Sequence, residues 1–283
     1  MSERTTRHPL HLAAPMKRTP VPDPPQPSVP EDERRPKYSV PAVEKALDVL
    51  EHLSEQAVPL TQAQLARALG REPSELFRML SCLESRGYLR REPSGGYVLT
   101  LKLFELSRTH SPHEQLLHAA APLMRDLVER VRESCHLCVL HRDQVLVLTQ
   151  VDSPTPIRLS VEAGSLHSPV NTVSGQVLLA HLPPAERDDL LSRQGDFLRL
   201  SVSEREAFIE RLARVREEGW AYAEGARFVG GLDLGVLVGS DRSRTRAVLT
   251  VAALKTPTGP DLFTLLPRLR QCAGDIARIA GIY

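Results

Sequence analysis

The chain has 283 residues, of which 41% are hydrophobic and 25% are charged, and its formal net charge is +1. These values are typical of a globular protein of about two domains and give it no general basic character. No apolar run approaches the roughly 20 residues that span a bilayer. The N-terminus also lacks the apolar segment of a signal peptide. We therefore expect a cytoplasmic protein with no membrane partner.

Residues 1–37 are rich in proline and hold no apolar segment. Because proline blocks both helices and sheet ladders, this stretch is predicted to be a disordered tail. Its basic residues are Arg4, Arg7, Lys17, Arg18, Arg34, Arg35 and Lys37. A solubilising extension is the simpler interpretation, and a flexible arm that touches DNA is the alternative.

Residues 38–100 contain the parts of a helix-turn-helix. Thr61 and Gln64 form a capping box that begins one helix, and Gly70 can end it in the left-handed conformation. Pro73 suits the first position of the next helix, where its missing N–H is not needed. Two helices joined by a turn this short are typical of DNA-binding domains.

Two short strand-like runs follow at 88–91 and 97–99, with the turn residues Glu-Pro-Ser-Gly-Gly between them. Upstream, an amphipathic helix around Leu47 can cover the helix pair. The region 38–100 is therefore predicted to be a winged helix-turn-helix domain that binds double-stranded operator DNA.

The leucines of the helix that begins at Pro73 orient its opposite face. Leu76, Leu80 and Leu83 recur at helical spacing and are predicted to face a core. The outward positions are then polar, namely Ser74, Arg78, Ser81 and Ser85. Arg78 suits a guanine edge or a phosphate, and the serines suit phosphates or water. A solvated polar face without any ligand is the alternative interpretation.

The wing adds Arg90 and Arg91, which are predicted to clamp phosphates. The region 38–100 is nevertheless balanced in charge, with seven Lys/Arg against eight Asp/Glu. Because a weakly charged domain binds DNA with modest affinity, we expect it to need dimerisation for useful binding. A scaffold in which the winged helix binds a protein partner is an alternative.

Helical and strand-like segments alternate from residue 101 onwards, which indicates an α+β sensor-like domain. Residues 101–117 are predicted to be a connecting helix, and residues 118–283 the domain itself. The predicted elements are a helix over 114–132, a hairpin over 136–151, a strand over 157–161, helices over 177–180, 183–193 and 203–218, strands over 232–239 and 246–254, and a final helix over 261–280.

No catalytic or metal-binding motif is recognisable. Cys135 and Cys138 form the only CxxC, but residues three apart in a strand point to opposite faces, and no second cysteine pair exists. We therefore predict no catalytic residue, no metal and no cofactor. An enzyme that uses Ser174 or Cys138 as its nucleophile is the alternative.

The loop over 164–175 leads into an apolar helix. Backbone N–H groups at a helix start suit a small carboxylate or another anion. An ordinary capped turn is the alternative.

Four segments resemble the winged-helix half of IclR-type transcriptional regulators, namely AVEKALDVLEHL, LTQAQLARALG, SELFRMLSCLESRGYL and GGYVLTLKLFEL. Five later segments resemble the ligand-sensing half of that family, namely AAPLMRDLVER, CHLCVLHRDQVLVLTQVDSP, TVSGQVLLAHLP, LARVREEGWAYAEG and AGDIARIAG. The resemblance covers about residues 38–283, in order and without a large gap.

The resemblance implies a GAF-like effector-binding domain, joined by a helix to the winged helix-turn-helix, in a homodimer or dimer of dimers that acts on promoter DNA. By position, the family's DNA contacts fall on Ser74, Glu75, Phe77 and Arg78. Its effector pocket falls on Thr172, Val173, Ser174 and Gly175, with Asp233, Thr250 and Ala252 from late strands.

The chain also departs from the family pattern. Glu75 stands where Thr is common, and an acid there favours a cytosine amino group or repels phosphate. Gln176 replaces a frequent Lys, and Tyr222–Gly231 keeps only Glu224 of the usual acidic run. We expect a transcriptional regulator, most simply a repressor, whose operator binding responds to a small molecule. A ligand-independent regulator with a degenerate sensor domain is the alternative.

Overall fold

The computed structural model describes residues 40–109, 113–225, 229–240, 243, 245–256 and 261–282. The predicted tail, residues 1–37, lies outside this part of the chain. The chain divides into two compact units, residues 1–105 and 106–283. Across the described ranges, no helix combines the length and apolar character needed to cross a bilayer.

The first unit is a winged helix-turn-helix, as the sequence predicts. Its helices are α1 (Pro41–Ser54), α2 (Gln62–Ala68) and α3 (Pro73–Ser85), and its wing pairs β1 (Leu89–Arg91) with β2 (Tyr97–Leu99) in an antiparallel hairpin. The helix α4 (Lys102–Thr109) follows the wing. The three helices and the wing close over one small core, made of Val49, Leu53, Leu65, Ala66, Leu76, Leu80, Leu83, Leu89 and Tyr97.

The second unit is built on a six-stranded antiparallel sheet. Its strands are β3 (Ser134–His141), β4 (Gln144–Val151), β5 (Leu166–His167), β6 (Trp220–Glu224), β7 (Gly231–Val238) and β8 (Ala247–Leu254). Their spatial order is β5-β4-β3-β8-β7-β6. The helices are α5 (Glu114–Val131), α6 (Val173–Ala180), α7 (Pro184–Ser192), α8 (Gly195–Leu198), α9 (Val202–Glu218) and α10 (Leu266–Ala280), with a 3-10 turn at Leu262–Leu265.

Helices cover both faces of this sheet. One apolar core lies under α5 and α10, and a second lies under α6 and α9. Cys135 belongs to the first core and Cys138 to the second, which confirms that the two thiols point to opposite faces. The domain is therefore a layered α+β structure in which alternate residues of each central strand serve different cores.

The prediction of a strand at 157–161 is wrong. This segment has no sheet partner, because its polar contacts run to side chains instead of to a neighbouring strand. The Val161 N–H donates to Gln150 Oε1, and the Ser160 hydroxyl lies 3.1 Å from Asp152 Oδ1. The segment is a loop that covers the sheet. Its apolar and polar residues alternate because only one side of the loop faces the protein.

Further elements differ from the sequence expectation, and the short elements β5 and α8 are missing from the prediction. The helix expected at 177–180 begins at Val173, because the Thr172 side chain caps it. The strand β6 is missing from the prediction; it starts directly after Gly219, whose φ of +75° ends α9. The range 101–117 holds α4 and the first turn of α5, with residues 110–112 between them outside the described part.

Candidate functional site

The helix α3 separates a buried apolar face from an exposed polar face. Leu76 and Leu80 are fully buried, and Leu83 is 8% exposed. The residues predicted to contact DNA lie on the other side, where Ser74, Glu75, Phe77, Arg78 and Ser81 are all exposed. The predicted orientation of the helix is thus confirmed, and Phe77 is a large apolar side chain held 59% exposed on a polar surface.

The turn between α2 and α3 is fixed by side-chain bonds. The Thr61 N–H donates to Gln64 Oε1 at 2.8 Å, which completes the predicted capping box of α2. Gln62 Nε2 donates to the carbonyl oxygen of Pro73 at 2.7 Å, so the first turn of α2 holds the first turn of α3. Gly70 ends α2 with φ of +60° and leaves open space where a Cβ would stand. These contacts fix the angle between α2 and α3.

The Glu75 carboxylate, on the exposed face of α3, forms an ion pair. Its carboxylate lies 2.7 Å from Lys45 Nζ on α1, and this ammonium group lowers the pKa of the Glu75 carboxyl. A second pair, Arg71 with Asp48 at 3.5 Å, joins the same helix to the inter-helix turn. Lys45 therefore neutralises Glu75 locally, a role that the sequence analysis missed because the two residues are thirty positions apart.

The two wing arginines are both held by wing atoms. Arg90 lies 2.7 Å from Glu92, and Arg91 Nε donates to the Gly95 carbonyl oxygen at 3.4 Å. The Arg91 guanidinium also lies over the Tyr97 ring, 5.8 Å from its centroid. Both side chains stay exposed at the end of β1, where Glu92 partly neutralises Arg90.

The second unit contains a cavity of about 370 Å³ between the sheet and the start of α6. It is lined by five strands, by α6 and by the covering loop after β4. The lining residues are His136, Cys138, Val145, Val147, Leu159, Ser160, Val161, Glu162, Ser165, His167, Thr172, Val173, Ser174, Asp233, Thr250 and Ala252. The sequence-predicted pocket residues are thus brought together, with one exception.

The exception is Gly175, which packs against the chain instead of lining the cavity. A Cβ at this position would stand 2.3 Å from the Cα and carbonyl oxygen of Pro169. Its N–H donates to Thr172 Oγ1 at 3.1 Å. The glycine is therefore needed for the close approach of α6 to the preceding loop, and its expected place in the pocket wall is not observed.

Strand register explains why distant residues meet on the cavity floor. His136 pairs with Thr250, which in turn pairs with Gly235, while Ala252 pairs with Asp233 on the adjacent row. Laterally paired residues point to the same face of a sheet. A Cβ on Gly235 would lie 2.8 Å from Val173 Cγ1, so this glycine lets α6 settle on the floor.

Ser174 joins α6 to the floor. Its hydroxyl lies 2.9 Å from Thr250 Oγ1, and both residues are almost fully buried. Sequence reasoning missed His136, Glu162 and His167, which also line the cavity. The parity of β3 could have found His136, because it lies two residues before Cys138 and therefore on the same face. The covering loop offered no comparable signal.

The nucleophile alternatives lack activation in this geometry. Burial raises the pKa of the Cys138 thiol to about 12, which the Ser174 hydroxyl only partly offsets, so the thiol stays protonated. The Ser174 hydroxyl lies 2.9 Å from the hydroxyl of Thr250, which is too weak a base to activate it as a nucleophile. Within the part of the chain that the structure describes, no group of three or more His, Cys, Asp or Glu residues could hold a metal ion.

Comparison with known families matches both units. The family model of the IclR helix-turn-helix domain matches residues 42–93, and the model of the bacterial transcriptional regulator IclR C-terminal domain matches residues 110–278. The chain belongs to the IclR family. It is therefore a transcriptional regulator with a DNA-binding head, residues 42–93, and a C-terminal ligand-binding domain.

Relatives of this IclR-family regulator extend over nearly its whole described length. The glycerol operon regulatory protein of Streptomyces griseus is 27% identical over 247 residues, which cover 86% of this chain and 97% of that protein. The transcriptional regulator XynR of Escherichia coli K12 is 26% identical over 244 residues, covering 85% and 97%. Both relatives are named as regulators and neither is named as an enzyme.

Solved structures show the same fold. An IclR homologue of Microbacterium hydrocarbonoxydans, crystallised with 4-hydroxybenzoate, superposes with a TM-score of 0.73 at 23% identity, covering 86% of this chain and 100% of that chain. The IclR protein of Thermotoga maritima superposes with a TM-score of 0.67 at 19% identity, covering 84% and 98%. At these identities the likeness establishes the architecture alone.

Proposed function

We propose that this regulator reads operator DNA with the exposed face of α3 and that a small molecule in the sensor cavity changes its operator affinity. The observation that carries the first half is the exposure of Arg78, Phe77 and the serines opposite a fully buried leucine face. A solvated helix face gains nothing from presenting a phenyl ring to water, whereas a major groove offers thymine methyl groups to it.

Each exposed side chain of α3 has a distinct role in this proposal. Arg78 has no ion pair with any described residue and donates two parallel bonds to a guanine edge. Ser74 and Ser81 donate to phosphates on either side. Glu75, steadied by Lys45, accepts from a cytosine amino group. Arg90 and Arg91 at the wing tip bind phosphates and add affinity without sequence preference.

The proposed functional unit is a homodimer or a dimer of dimers. Exposed apolar side chains occur on α1, namely Val43 and Leu47, and on and beside α4, namely Leu101, Leu103, Phe104 and Leu106. Apolar surface of this kind is covered in most stable assemblies, and a second copy of the chain supplies a matching surface by symmetry. Two heads on one operator also compensate for the balanced charge of each head.

The proposed switch is a shift of population between two arrangements of the paired heads. An effector that binds one arrangement more tightly favours it, and half-site spacing then matches or mismatches the operator. The cavity supports this, because the start of α6 forms its Thr172–Ser174 wall and the central sheet forms its floor, so a bound ligand would contact both elements. Where the operator overlaps a promoter, the bound regulator represses transcription. The proposed location of the regulator is the bacterial cytoplasm.

Genome-wide mapping of bound sites, followed by a footprint of one site, tests the proposal. We expect a protected sequence with two related half-sites, and a shift in operator affinity when a cavity ligand is added. Equal affinity for the mapped site and for unrelated DNA of the same length would contradict sequence-specific binding. An affinity that ignores a ligand shown to bind the cavity would contradict the switch.

A further inference from the structure

The covering loop, which joins β4 to β5, forms the outer wall of the sensor cavity. Its residues Leu159, Ser160, Val161 and Glu162 line the cavity together with the sheet and the start of α6. Six other lining residues are each at most 3% exposed, namely Cys138, Val145, Val147, Ser174, Thr250 and Ala252. These residues offer almost no surface to a molecule in solution, so a wall of the cavity has to move before a ligand can contact them.

The sheet and α6 are poorly suited to such a movement. Strands β3, β7 and β8 are paired residue by residue under the cavity. The helix α6 is buried at every residue from Val173 to Ala180, and its Ser174 hydroxyl lies 2.9 Å from Thr250 Oγ1. Moving either element would disturb the close-packed core under α6. The covering loop is therefore the wall that can move with the least disturbance.

Both ends of the covering loop are fixed through its backbone. At the first end, the Ser153 N–H donates to Ser134 Oγ at 2.9 Å. At the second end, the Gly164 N–H donates to the Val147 carbonyl oxygen at 2.8 Å, and the Val147 N–H donates to the Ser165 carbonyl oxygen at 3.1 Å. The part of the loop between these two attachments can therefore move while its ends stay in place.

The central segment of the loop, residues 157–162, is held by the side chains of Gln150 and Asp152. Gln150 Oε1 accepts from the Val161 N–H, and Gln150 Nε2 lies 2.6 Å from Ser160 Oγ. Asp152 accepts from the Ser160 hydroxyl at 3.1 Å and lies 3.5 Å from Arg158 Nε. Because Gln150 Nε2 also donates to Asp152 Oδ1, the two side chains form one clamp. Among the described residues, no backbone hydrogen bond joins the central segment to a strand.

Contacts of this kind require little free energy to break. Water replaces a broken hydrogen bond at an exposed site, and the exposed pair of Arg158 and Asp152 is weak for the same reason. Ile157 is 79% exposed, whereas Val161 packs partly buried against the core under α6. A segment held by few apolar contacts and by exposed bonds opens locally far more often than the domain unfolds.

We propose that the central segment is a gate of the sensor cavity, which the clamp of Gln150 and Asp152 holds closed and which opens to admit the effector. This inference rests on the proposed function, since it concerns access to the same cavity. Gln150 does not line the cavity; it is a positioning residue that acts through Ser160 and Val161. A ligand under the closed gate contacts the loop as well as α6, so binding and closure are linked.

The chain carries its own reporter of this opening. Cys138 lines the cavity at 1% exposure, and Cys135 is buried in the core on the opposite face of the sheet. Iodoacetamide labels a buried thiol only while an opening exposes it, so the two labelling rates report opening on the two faces. Tandem mass spectrometry of the labelled full chain measures both rates.

Loss of the clamp should accelerate labelling on one face only. Gln150→Ala should raise the Cys138 rate about tenfold, because two hydrogen bonds to the loop are lost, and should leave the Cys135 rate unchanged. Gln144→Ala removes the same amide from the exposed start of the same strand and should change neither rate. An unchanged Cys138 rate in Gln150→Ala, or an equal rise at both cysteines, would overturn the gate.

Exchanging the two partners tests whether the clamp itself is responsible. Gln150→Glu places a second carboxylate beside Asp152 and should accelerate Cys138 labelling at least as much as Gln150→Ala. Adding Asp152→Asn reverses the donor and the acceptor, because the new amide at position 152 can donate to the carboxylate at position 150. The double variant should therefore return to slow labelling. Fast labelling in a double variant that unfolds at the wild-type temperature would contradict the clamp.

Failure of the proposed function is read separately, because thiol labelling needs neither DNA nor a ligand. An operator affinity that ignores a ligand bound in the cavity would overturn the switch while the gate stands. If operator affinity responds to such a ligand but Gln150→Ala leaves Cys138 labelling unchanged, the switch stands and the gate fails.

Discussion

The two units place their candidate functional side chains in opposite positions. In the head, Phe77 and Arg78 lie on the exposed face of α3, whose opposite face packs in the core. In the sensor domain, Ser174 and Thr250 are enclosed between a helix and a sheet, with exposed fractions of 3% and 1%. A partner as large as DNA needs an outward face, whereas a small molecule has to be surrounded before it can bias a conformation.

This difference has a consequence for mutation. In the head, the residues that stabilise the fold and those proposed to bind DNA are different residues of one helix, so stability and binding should separate cleanly. In the sensor domain the same side chains serve both purposes, so changes in the cavity should move stability and ligand affinity together.

The largest effect is expected in the head core. Leu80→Ala leaves a cavity at a fully buried position and should lower the free energy of unfolding by about 2–5 kcal/mol. Phe77→Ala, on the exposed face of the same helix, should change it by less than about 0.5 kcal/mol. Urea denaturation followed by circular dichroism measures both. Equal losses from the two substitutions would erase the proposed division of the helix into two faces.

Operator affinity should respond to the exposed face instead. Arg78→Ala should weaken operator binding by about 1–3 kcal/mol and relax the preference at one base pair, without a change in stability. Arg214→Ala removes an exposed arginine from α9 and serves as the charge-matched control. Fluorescence anisotropy on the mapped operator and on single-base variants measures the effect. An Arg78→Ala protein that binds like the wild type would refute the assigned reading face.

The sensor domain should couple packing to ligand binding at Gly175. Gly175→Ala places a Cβ against Pro169 backbone, so we expect a loss of about 1–3 kcal/mol in stability together with weaker ligand binding. Gly274→Ala adds a Cβ in open space within α10 and should instead stabilise by about 0.5–1 kcal/mol. Thermal unfolding compares the pair. A neutral Gly175→Ala would mean that the loop before α6 can retreat.

The smallest effect concerns Lys45 and Glu75. Because Lys45 lowers the pKa of Glu75 in the folded state, the ion pair stabilises at pH above the usual glutamate value of 4.5 and is lost as pH falls through the folded value. Lys45→Met should therefore lower the urea midpoint slightly at neutral pH, and the difference should shrink in acid and in high salt. A difference that is constant with pH would point to packing of the lysine stem instead.

The sequence predicted the head more completely than the sensor. The spacing of Leu76, Leu80 and Leu83 determines which way α3 faces, because helical periodicity is a local property. The cavity depends on strand register, which is not local: His136 meets Thr250 across more than a hundred residues. The covering loop at 157–161 alternates like a strand but pairs with none, since side chains such as Gln150 satisfy its backbone.

The resemblance to a family supplied what periodicity could not. It placed Asp233, Thr250 and Ala252 in one pocket with the start of α6, and all three line the cavity. It also placed Gly175 there, although this glycine serves backbone packing. Positional transfer thus identified where the site lies, while Glu162, His136 and His167 emerged only from the assembled lining.

The most direct test of the account uses a thiol that the chain already has. Cys82 is the one exposed cysteine of the four and lies on α3 beside Arg78, whereas Cys135, Cys138 and Cys272 are buried. Iron-EDTA attached to Cys82 should cleave the operator within the centre of each protected half-site, since the proposed function places α3 in the major groove there. Cleavage only outside the footprint, or none at all by a conjugate that still binds, would contradict the account.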